Sequence, residues 1–389
     1  MKRISSIDIF RALTMLLMLF VNDFAGMSGL PHWMHHAAFD EDMLGFSDLV
    51  FPAFLFCVGL SIPFAVGARY SKGDSVLQVI VHVVSRTLAL LVMGVFSMNL
   101  GGVEGGLSRP VFTLLAVAGF FLVWNAWPRR TDGRYAPWVR VLQALGVVLL
   151  IALVIYKDLH GMPFRHSWWG ILGLIGWGYL PCALAFVFLR GDFKKLVGFW
   201  VLTLLLCVLN ALPAIPAEWS ARTVILGFWP GGWAHPALCA SGMLASLVVI
   251  HVGQGSPRKA VITLLLLGTC MFLLALVAHP VWIISKIQAT PTWLFYSTAI
   301  FFPFFALLYW LADVQGRTGW ARIIGPAGTA TLTCYTIPDI WNAVWRLTGL
   351  QWPAALTAGI PGLLKALAFS FLIIGLTWLF TNAHLKLKV

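Results

Sequence analysis

The sequence predicts an all-α, polytopic integral membrane protein, and three observations lead there. Of its 389 residues 60% are hydrophobic and only 10% charged, where an ordinary soluble domain is about a quarter charged; the mean hydropathy is +0.88. The apolar residues gather in runs long enough to cross a bilayer as helices, which takes roughly 20 residues, with 17 to 25 the working range. The chain also has 19 tryptophans, and Trp124, Trp127, Trp168, Trp169, Trp282 and Trp293 fall at the ends of those runs, where amphipathic rings favour the membrane-water interface.

Taken in order, the runs predict about 12 transmembrane helices, with 10 to 12 the range: 7–24, 46–67, 77–98, 110–127, 138–156, 168–189, 196–213, 234–251, 260–282, 292–312, 327–347 and 361–380. Lys2 and Arg3 before an apolar run imitate the opening of a signal peptide. Asp8 and Arg11 interrupt that run, however, and no small-x-small site follows Val21, so the segment reads as the first transmembrane helix. The segment 327–347 is the most interrupted, by Pro338 and Asp339.

Charge supplies an independent test of this order, because Lys and Arg in short loops concentrate on the cytoplasmic side. With the N-terminus inside, the cytoplasmic segments carry Lys2 and Arg3, Arg69 and Lys72, Arg129, Arg130 and Arg134, Arg190, Lys194 and Lys195, Arg258 and Lys259, Arg317 and Arg322, and Lys386 and Lys388. The outer loops carry Arg109, Lys157, Arg165, Arg222, Lys286, Arg346 and Lys365. Sixteen against seven places both termini in the cytoplasm. The net charge of +12 is scattered through these loops and forms no contiguous basic surface, so it reads as topology and contact with membrane lipid, with no nucleic-acid partner. Six cysteines stand singly, none in a C-x-x-C pair, which speaks against a disulfide framework or a thiolate metal site. No hydrophilic stretch is long enough for a soluble domain and no repeat is visible, so residues 1–389 read as a single membrane domain.

Against this background one polar stretch stands out. Between Asn22 and Pro52 lie His32, His35 and His36 with Asp23, Asp40, Glu41, Asp42 and Asp48, and no Lys or Arg. Ionisable groups at membrane depth are costly and therefore candidates for function. If the first two helices are antiparallel neighbours, Asn22 and Asp48 meet at the outer surface with His35 and His36 above them. A carboxylate beside an imidazole fixes its tautomer and raises its basicity, as general-base catalysis requires; a surface histidine cluster beside a helix-capping Ser47 or Asp48 is the plainer alternative. The H-x-x-H-H spacing is no recognised zinc pattern, so no metal is expected. Arg11 and Asn22 stand about 16 Å apart along one helix, presenting polar groups toward both faces. Arg11, Arg86 and Arg109 suit a phosphate-bearing ligand through their planar forks, or else pair within the membrane, as Asp8 with Arg11 would. His279, Lys286, Asp339 and Asn342 are further polar groups of the outer half, which either line the same vestibule or mark loop ends.

R-I-S-S-I-D-I-F-R-A-L-T-M-L-L-M-L-F-V-N at 3–22, H-A-A-F at 36–39 and G-F-S-D-L-V-F-P-A-F-L-F-C-V-G-L-S-I at 45–62 resemble the opening of the heparan-alpha-glucosaminide N-acetyltransferase family of transmembrane acyltransferases. V-S-R-T-L-A-L-L-V-M-G at 84–94, S-R-P-V at 108–111, T-P-T-W-L-F-Y-S-T-A-I at 290–300, L-A-D-V-Q-G at 311–316 and R-I-I-G-P-A-G at 322–328 are similar to its later helices. The segment 157–235 looks like an insertion relative to the family, the glycine-rich segment after the asparagine is here D-F-A-G, and the family's F-R-G is F-R-A. The chain resembles a bacterial-type member without the large lumenal domain, in the inner membrane. The resemblance implies an acetyltransferase that takes acetyl from cytoplasmic acetyl-CoA and delivers it to an extracytoplasmic amino sugar or related glycan. It maps the essential histidine onto His36, with Asn22 and Asp48 as partners, and leaves CoA to basic groups such as Arg11, Arg86 and Arg109. Homodimers occur among such proteins, though no motif here requires one. A secondary transporter of a small anionic or sugar-like solute is the alternative, since a dozen helices with intramembrane charges suit one as well; the inverted halves of many transporters are not visible here.

Overall fold

The computed structural model describes residues 4–128, 135–212 and 229–389. Lys2, Arg3, Arg129, Arg130, Arg134 and Arg222 of the charge count, and residues 213–228 of the expected insertion, lie outside them. Among the described residues twelve long helices follow one another: α1 Ser5–Phe24, α2 Val50–Tyr70, α3 Val76–Met98, α4 Arg109–Trp124, α5 Pro137–Leu159 and α6 Gly170–Phe188, then α7 Phe193–Ala211, α8 Ala234–His251, α9 Pro257–Ala278, α10 Pro291–Tyr309, α11 Thr331–Thr348 and α12 Gly359–Asn382. Every segment expected from the sequence coincides with one of them, and no strand occurs among the described residues. The protein is an all-α polytopic membrane protein, in which nine described helices are long and apolar enough to cross a bilayer. The other three are α1 and α11, which carry ionisable groups, and α4, which has only 16 residues.

The chain forms two compact units. The first comprises Met1–Thr14, Leu30–Leu88 and Leu174–Arg322. Its centre is α8, buried from Ala234 to Val249. Helix α2 packs on α8 through small residues, because in a lipid solvent close van der Waals approach replaces hydrophobic collapse as the force between helices. A Cβ added at Gly59 would overlap the Cys239 carbonyl, and one at Gly242 would overlap the Phe56 carbonyl. One turn further on, the Ser246 hydroxyl donates to the Leu60 carbonyl at 2.5 Å. Phe10 of α1, Phe56 of α2 and Phe301 of α10 close the same core with ring centroids 5.6 to 6.4 Å apart. A helix start leaves four N–H groups without an intrahelical acceptor, and two of those at the start of α1 are filled from another segment. The Asp313 carboxylate, from a π-helical turn at Trp310–Val314, accepts from Ser5 N at 2.7 Å and Ser6 N at 3.0 Å. That contact explains the aspartate of the L-A-D-V-Q-G motif in structural terms.

The second unit comprises Met15–Gly29, Ala89–Gly173 and Ile323–Val389. Here α4 and α5 pack through Gly119 and Gly146, each against side chains of the other helix. The other face of α5 exposes Val141, Leu145, Val148, Ile151, Ile155 and Leu159, a stripe at helical spacing that suits lipid. The C-terminal tail is tied back by the Ala126 N–H to the Lys386 carbonyl, 2.7 Å, and the Lys388 N–H to the Trp124 carbonyl, 2.8 Å.

The α2–α8 contact yields a paired test. Gly242→Ala is expected to lower stability by about 1 to 3 kcal/mol or more through overpacking. Gly198→Ala on α7, where a Cβ meets open space, is expected to gain about 0.5 to 1 kcal/mol of helix propensity. Thermal midpoints of the detergent-solubilised variants check this; equal midpoints would refute the close-approach account.

Candidate active site

The loop before α2 folds back on itself because its backbone groups find partners inside it. Ser47 Oγ donates to the Met34 carbonyl at 2.5 Å, and the Asp48 N–H to the Gly45 carbonyl at 2.9 Å. Gly45 passes so close to His35 that a Cβ there would overlap its carbonyl oxygen. Phe46–Leu49 form a 3₁₀ turn that leads into α2. Asp48 therefore points back into the loop. Only 2% of its side chain is exposed, and its Oδ2 accepts from the Ala37 N–H at 2.9 Å. Oδ1 lies 2.7 Å from His36 Nδ1 and 2.7 Å from Lys286 Nζ, and Lys286 Nζ lies 2.7 Å from the same His36 Nδ1. The capping alternative is thereby corrected: the N-cap of α2 is Leu49 and that of the preceding turn Gly45, neither with a side-chain cap, because the Asp48 carboxylate is spent on the loop, the imidazole and the ammonium.

The T-P-T-W motif builds the segment that brings Lys286 to this point. Thr290 caps α10, accepting from the Trp293 N–H at 3.4 Å, with Pro291 at the first helical position, where a missing N–H costs nothing. The Thr290 hydroxyl also donates to the Ile283 carbonyl at 2.8 Å, and Thr292 Oγ1 to the Trp282 carbonyl at 2.8 Å. The Trp293 indole N–H donates to the Asp48 carbonyl at 3.3 Å. A second set of contacts ties the two loops together: Gln288 Nε2 donates to the Phe39 carbonyl at 2.7 Å, and Asp42 accepts from the Ile284 N–H at 2.8 Å and faces His279 Nε2 at 2.8 Å. The Ile284 N–H above all, with help from His279, holds the Asp42 carboxyl below the usual carboxylate range against the opposing effect of burial. Glu41 is lowered likewise, by the Ala38 N–H and by His32, to which it is hydrogen-bonded.

The expected residues thus separate. His36 and Asp48 come together, and His36 keeps 44% of its side chain exposed. His32 is engaged with Glu41 and His279 with Asp42; among the described residues no three His, Cys, Asp or Glu side chains form a group that could hold a metal ion. Arg11 donates to Ser61 Oγ at 2.6 Å and lies 3.3 Å from Asp8. Arg86 stands over the Tyr179 ring at 4.8 Å, and its Nε is buried without a hydrogen-bond partner.

Asn22 and Arg109 belong to the second unit, where they line a cavity of about 550 Å³ together with Asp339 and Asn342. Two helix faces build much of it: Met15, Met18, Leu19, Asn22 and Asp23 recur at helical spacing on α1, as do Asp339, Asn342, Trp345 and Arg346 on α11. Asp23 is paired with Lys365 at 2.7 Å. Arg346 and Lys365 entered the sequence reading only as outer charges, and Lys286 as an outer charge and one of the further polar groups of the outer half. For Arg346 the signal was present in the 339, 342, 346 spacing; Lys286 lies 250 residues from His36, and no local pattern connects them.

Fold and site define a polytopic all-α membrane protein with a buried carboxylate holding a half-exposed imidazole at the start of its second helix. The profile of a family described as a domain of unknown function, DUF5009, matches residues 3–211, and the chain belongs to that family. It is also similar to heparan-alpha-glucosaminide N-acetyltransferase of Mus musculus, at 34% identity over 199 residues, 45% of this chain and 29% of the relative. The Homo sapiens protein of the same name is 32% identical over 98 residues, 25% of this chain and 14% of the relative. The chain therefore spans less than a third of the length of these curated relatives.

Two predictions follow from the loop contacts. Lys286→Met leaves the buried Asp48 carboxylate short of a cation, and is expected to cost on the order of 3 kcal/mol, whereas Lys72→Met on an exposed turn should stay within about 0.5 kcal/mol. Denaturant titration of the solubilised proteins measures both; a loss at Lys286 no larger than at Lys72 would contradict the pairing. Because the folded pKa of Asp42 is depressed, its contribution is fully present above its ordinary value of 3.8 and disappears as pH falls through the lower folded value. Hydrogen exchange at the Ile284 amide should accordingly lose protection in that acid window. Asp42→Asn should lack the transition, and an identical profile in both proteins would sink the assignment.

Proposed function

We propose that the protein is a transmembrane acetyltransferase that moves acetyl from cytoplasmic acetyl-CoA to an amino sugar or related glycan outside the cytoplasm. The observation that carries this reading is the 2.7 Å contact between His36 Nδ1 and the almost wholly buried Asp48 carboxylate, on a ring that is itself half exposed. The similarity to two N-acetyltransferases supports the reaction class, and the distribution of Lys and Arg supports cytoplasmic termini and an outward-facing His36. On this reading residues 1–389 act as one membrane domain.

A carboxylate only accepts hydrogen bonds and an ammonium only donates them. Nδ1 therefore either donates to Asp48 or accepts from Lys286. We assign it as the donor, because a buried carboxylate needs every donor within reach to offset its desolvation. Nε2 then carries a lone pair, and among the described residues no hydrogen bond occupies it. It takes the proton from the attacking amine or hydroxyl of the acceptor, or carries the acetyl itself as an acyl-imidazole. The family resemblance names Asn22 as a further residue of the reaction.

Acetyl-CoA supplies the activated acetyl group. Of the basic residues expected to hold its phosphates, Arg86 fits best, since a buried Nε without a partner is a donor still to be satisfied. Arg11 already donates to Ser61, and is left as a supporting charge. No metal enters the reaction as drawn.

Purified protein should consume acetyl-CoA in the presence of an amino sugar, and His36→Ala should lose a factor of about 10² to 10⁴, the usual contribution of a general base. Wild-type protein inert toward a broad panel of amino and hydroxyl sugars would overturn the proposal. Radiolabelled acetyl retained on the enzyme without acceptor would identify the acyl-imidazole route; its absence under rapid quenching, with sequential kinetics, would identify direct transfer.

A further inference from the structure

The stretch around His36 is rich in carboxylates and has no permanent cation of its own: between Asn22 and Pro52 stand Asp23, Asp40, Glu41, Asp42 and Asp48, and neither Lys nor Arg. Asp23 is paired with Lys365, and Asp40 is exposed. Glu41 is engaged by His32, and Asp42 by His279 and the Ile284 N–H. That leaves Asp48, which with 2% of its side chain exposed is the carboxylate that most needs a positive charge beside it. Two groups can supply one. Lys286 does so from outside the loop, with Nζ 2.7 Å from Oδ1 and 20% of its side chain exposed. His36 can do so by taking a second proton, since its Nδ1 lies 2.7 Å from the same oxygen.

These two cations exclude one another. Nζ is also 2.7 Å from Nδ1, and like charges so close in a poorly solvated site repel, which disfavours the charged form of the weaker base. With Lys286 in place Asp48 is already neutralised, and a charged ring leaves the cluster one positive charge in excess. Without Lys286 the balance reverses: Asp48 and an imidazolium make the neutral pair, and the second proton goes to Nε2. That proton would occupy the lone pair on which both routes of acetyl transfer depend.

Resting on the acetyl-transfer reading, we propose that Lys286 is a positioning residue that keeps His36 uncharged at rest, so that Nε2 stays free for the acceptor's proton or for the acetyl group. Either one puts a positive charge on the ring, and the ammonium beside Nδ1 then favours its release. A buried aspartate alone orients an imidazole and also raises its basicity; the lysine keeps the first effect and offsets the second. The charged groups that face the ring are these two, Asp48 from the turn before α2 and Lys286 from the segment after α9.

The test separates charge from hydrogen bonding. Lys286→Gln keeps a donor toward Asp48 and loses the charge; Lys286→Arg keeps the charge. Spectra of full-length, ¹⁵N-histidine-labelled protein in detergent, with the His36 signal identified by its loss in His36→Gln, are followed over the range in which histidine titrates, about pH 5 to 8. The transition of the ring is expected to move to higher pH by roughly one unit or more in Lys286→Gln, and to stay near the wild-type position in Lys286→Arg. The acid limb of kcat for acetyl transfer to glucosamine should move the same way in Lys286→Gln, with the lost rate returning above it. The acceptor's own amine titrates alike with every protein, so the difference between them reports the ring.

A ring transition at the same pH in wild type and Lys286→Gln would overturn the proposal, as would a rate lowered by the same factor at every pH, which is what a merely structural role gives. So would a wild-type ring already charged at about pH 7; this measurement needs no variant, and decides the matter should size-exclusion profiles show that Lys286→Gln does not fold. The spectra need no turnover. A protein that shows the shift without consuming acetyl-CoA therefore contradicts only the function proposed above, and one that transfers acetyl with an unmoved ring contradicts only the present inference.

Discussion

The Asp48 carboxylate is the constraint around which the first unit's outer end is arranged. A charge with 2% of its side chain exposed is tolerable only when its oxygens are filled, and here they are filled from three directions. The Ala37 N–H fixes the loop before α2, His36 fixes the imidazole, and Lys286 brings in a segment from beyond α9. The carbonyl of the same residue receives the Trp293 indole. Loop closure and imidazole orientation are therefore one event, and a change at Asp48 disturbs both. This is why its removal is a poor way to separate stability from chemistry, and why the peripheral Asp42 contacts, which hold the same two loops without touching His36, are useful in comparison.

A membrane interior gives no water-driven reward for bringing helices together, and the first unit compensates with contact. Gly59 and Gly242 let the α2 and α8 backbones meet, and the aromatic rings of α1, α2 and α10 fill what lies beside them. Rigid packing at that level gives the His36 loop a fixed base. In the second unit the polar groups of α1 and α11 line a cavity, the arrangement expected when ionisable residues must avoid lipid.

Much of this was legible in the sequence, for physical reasons. Apolar runs of bilayer length reveal helices because the solvent demands them, so each expected segment is helical. His36 and Asp48 were conspicuous as charged and polar groups between two apolar runs. The lysine that completes their cluster was visible only as one of several outer-half polar groups, since a contact across 250 residues leaves no periodicity that pairs it with His36. The T-P-T-W motif was visible and its purpose was not, because capping α10 and reaching the Asp48 carbonyl are tertiary facts. Asn22 reads as a neighbour of Asp48 when the loop alone is considered; the structure groups it with the polar face of α11 in the second unit. That face, at 339, 342 and 346, was written at helical spacing, but the interruption by Pro338 obscured it.

The most direct test of the account is the tautomer of His36, since everything assigned to Asp48 converges there. Solid-state or solution ¹⁵N spectra of protein labelled at histidine, with His36→Gln used to identify the signal, distinguish a protonated Nδ1 from a protonated Nε2. The account predicts a neutral ring protonated at Nδ1, with Nε2 bare, and loss of that preference in Asp48→Asn. A wild-type ring protonated at Nε2, with Lys286 donating to Nδ1, would contradict it.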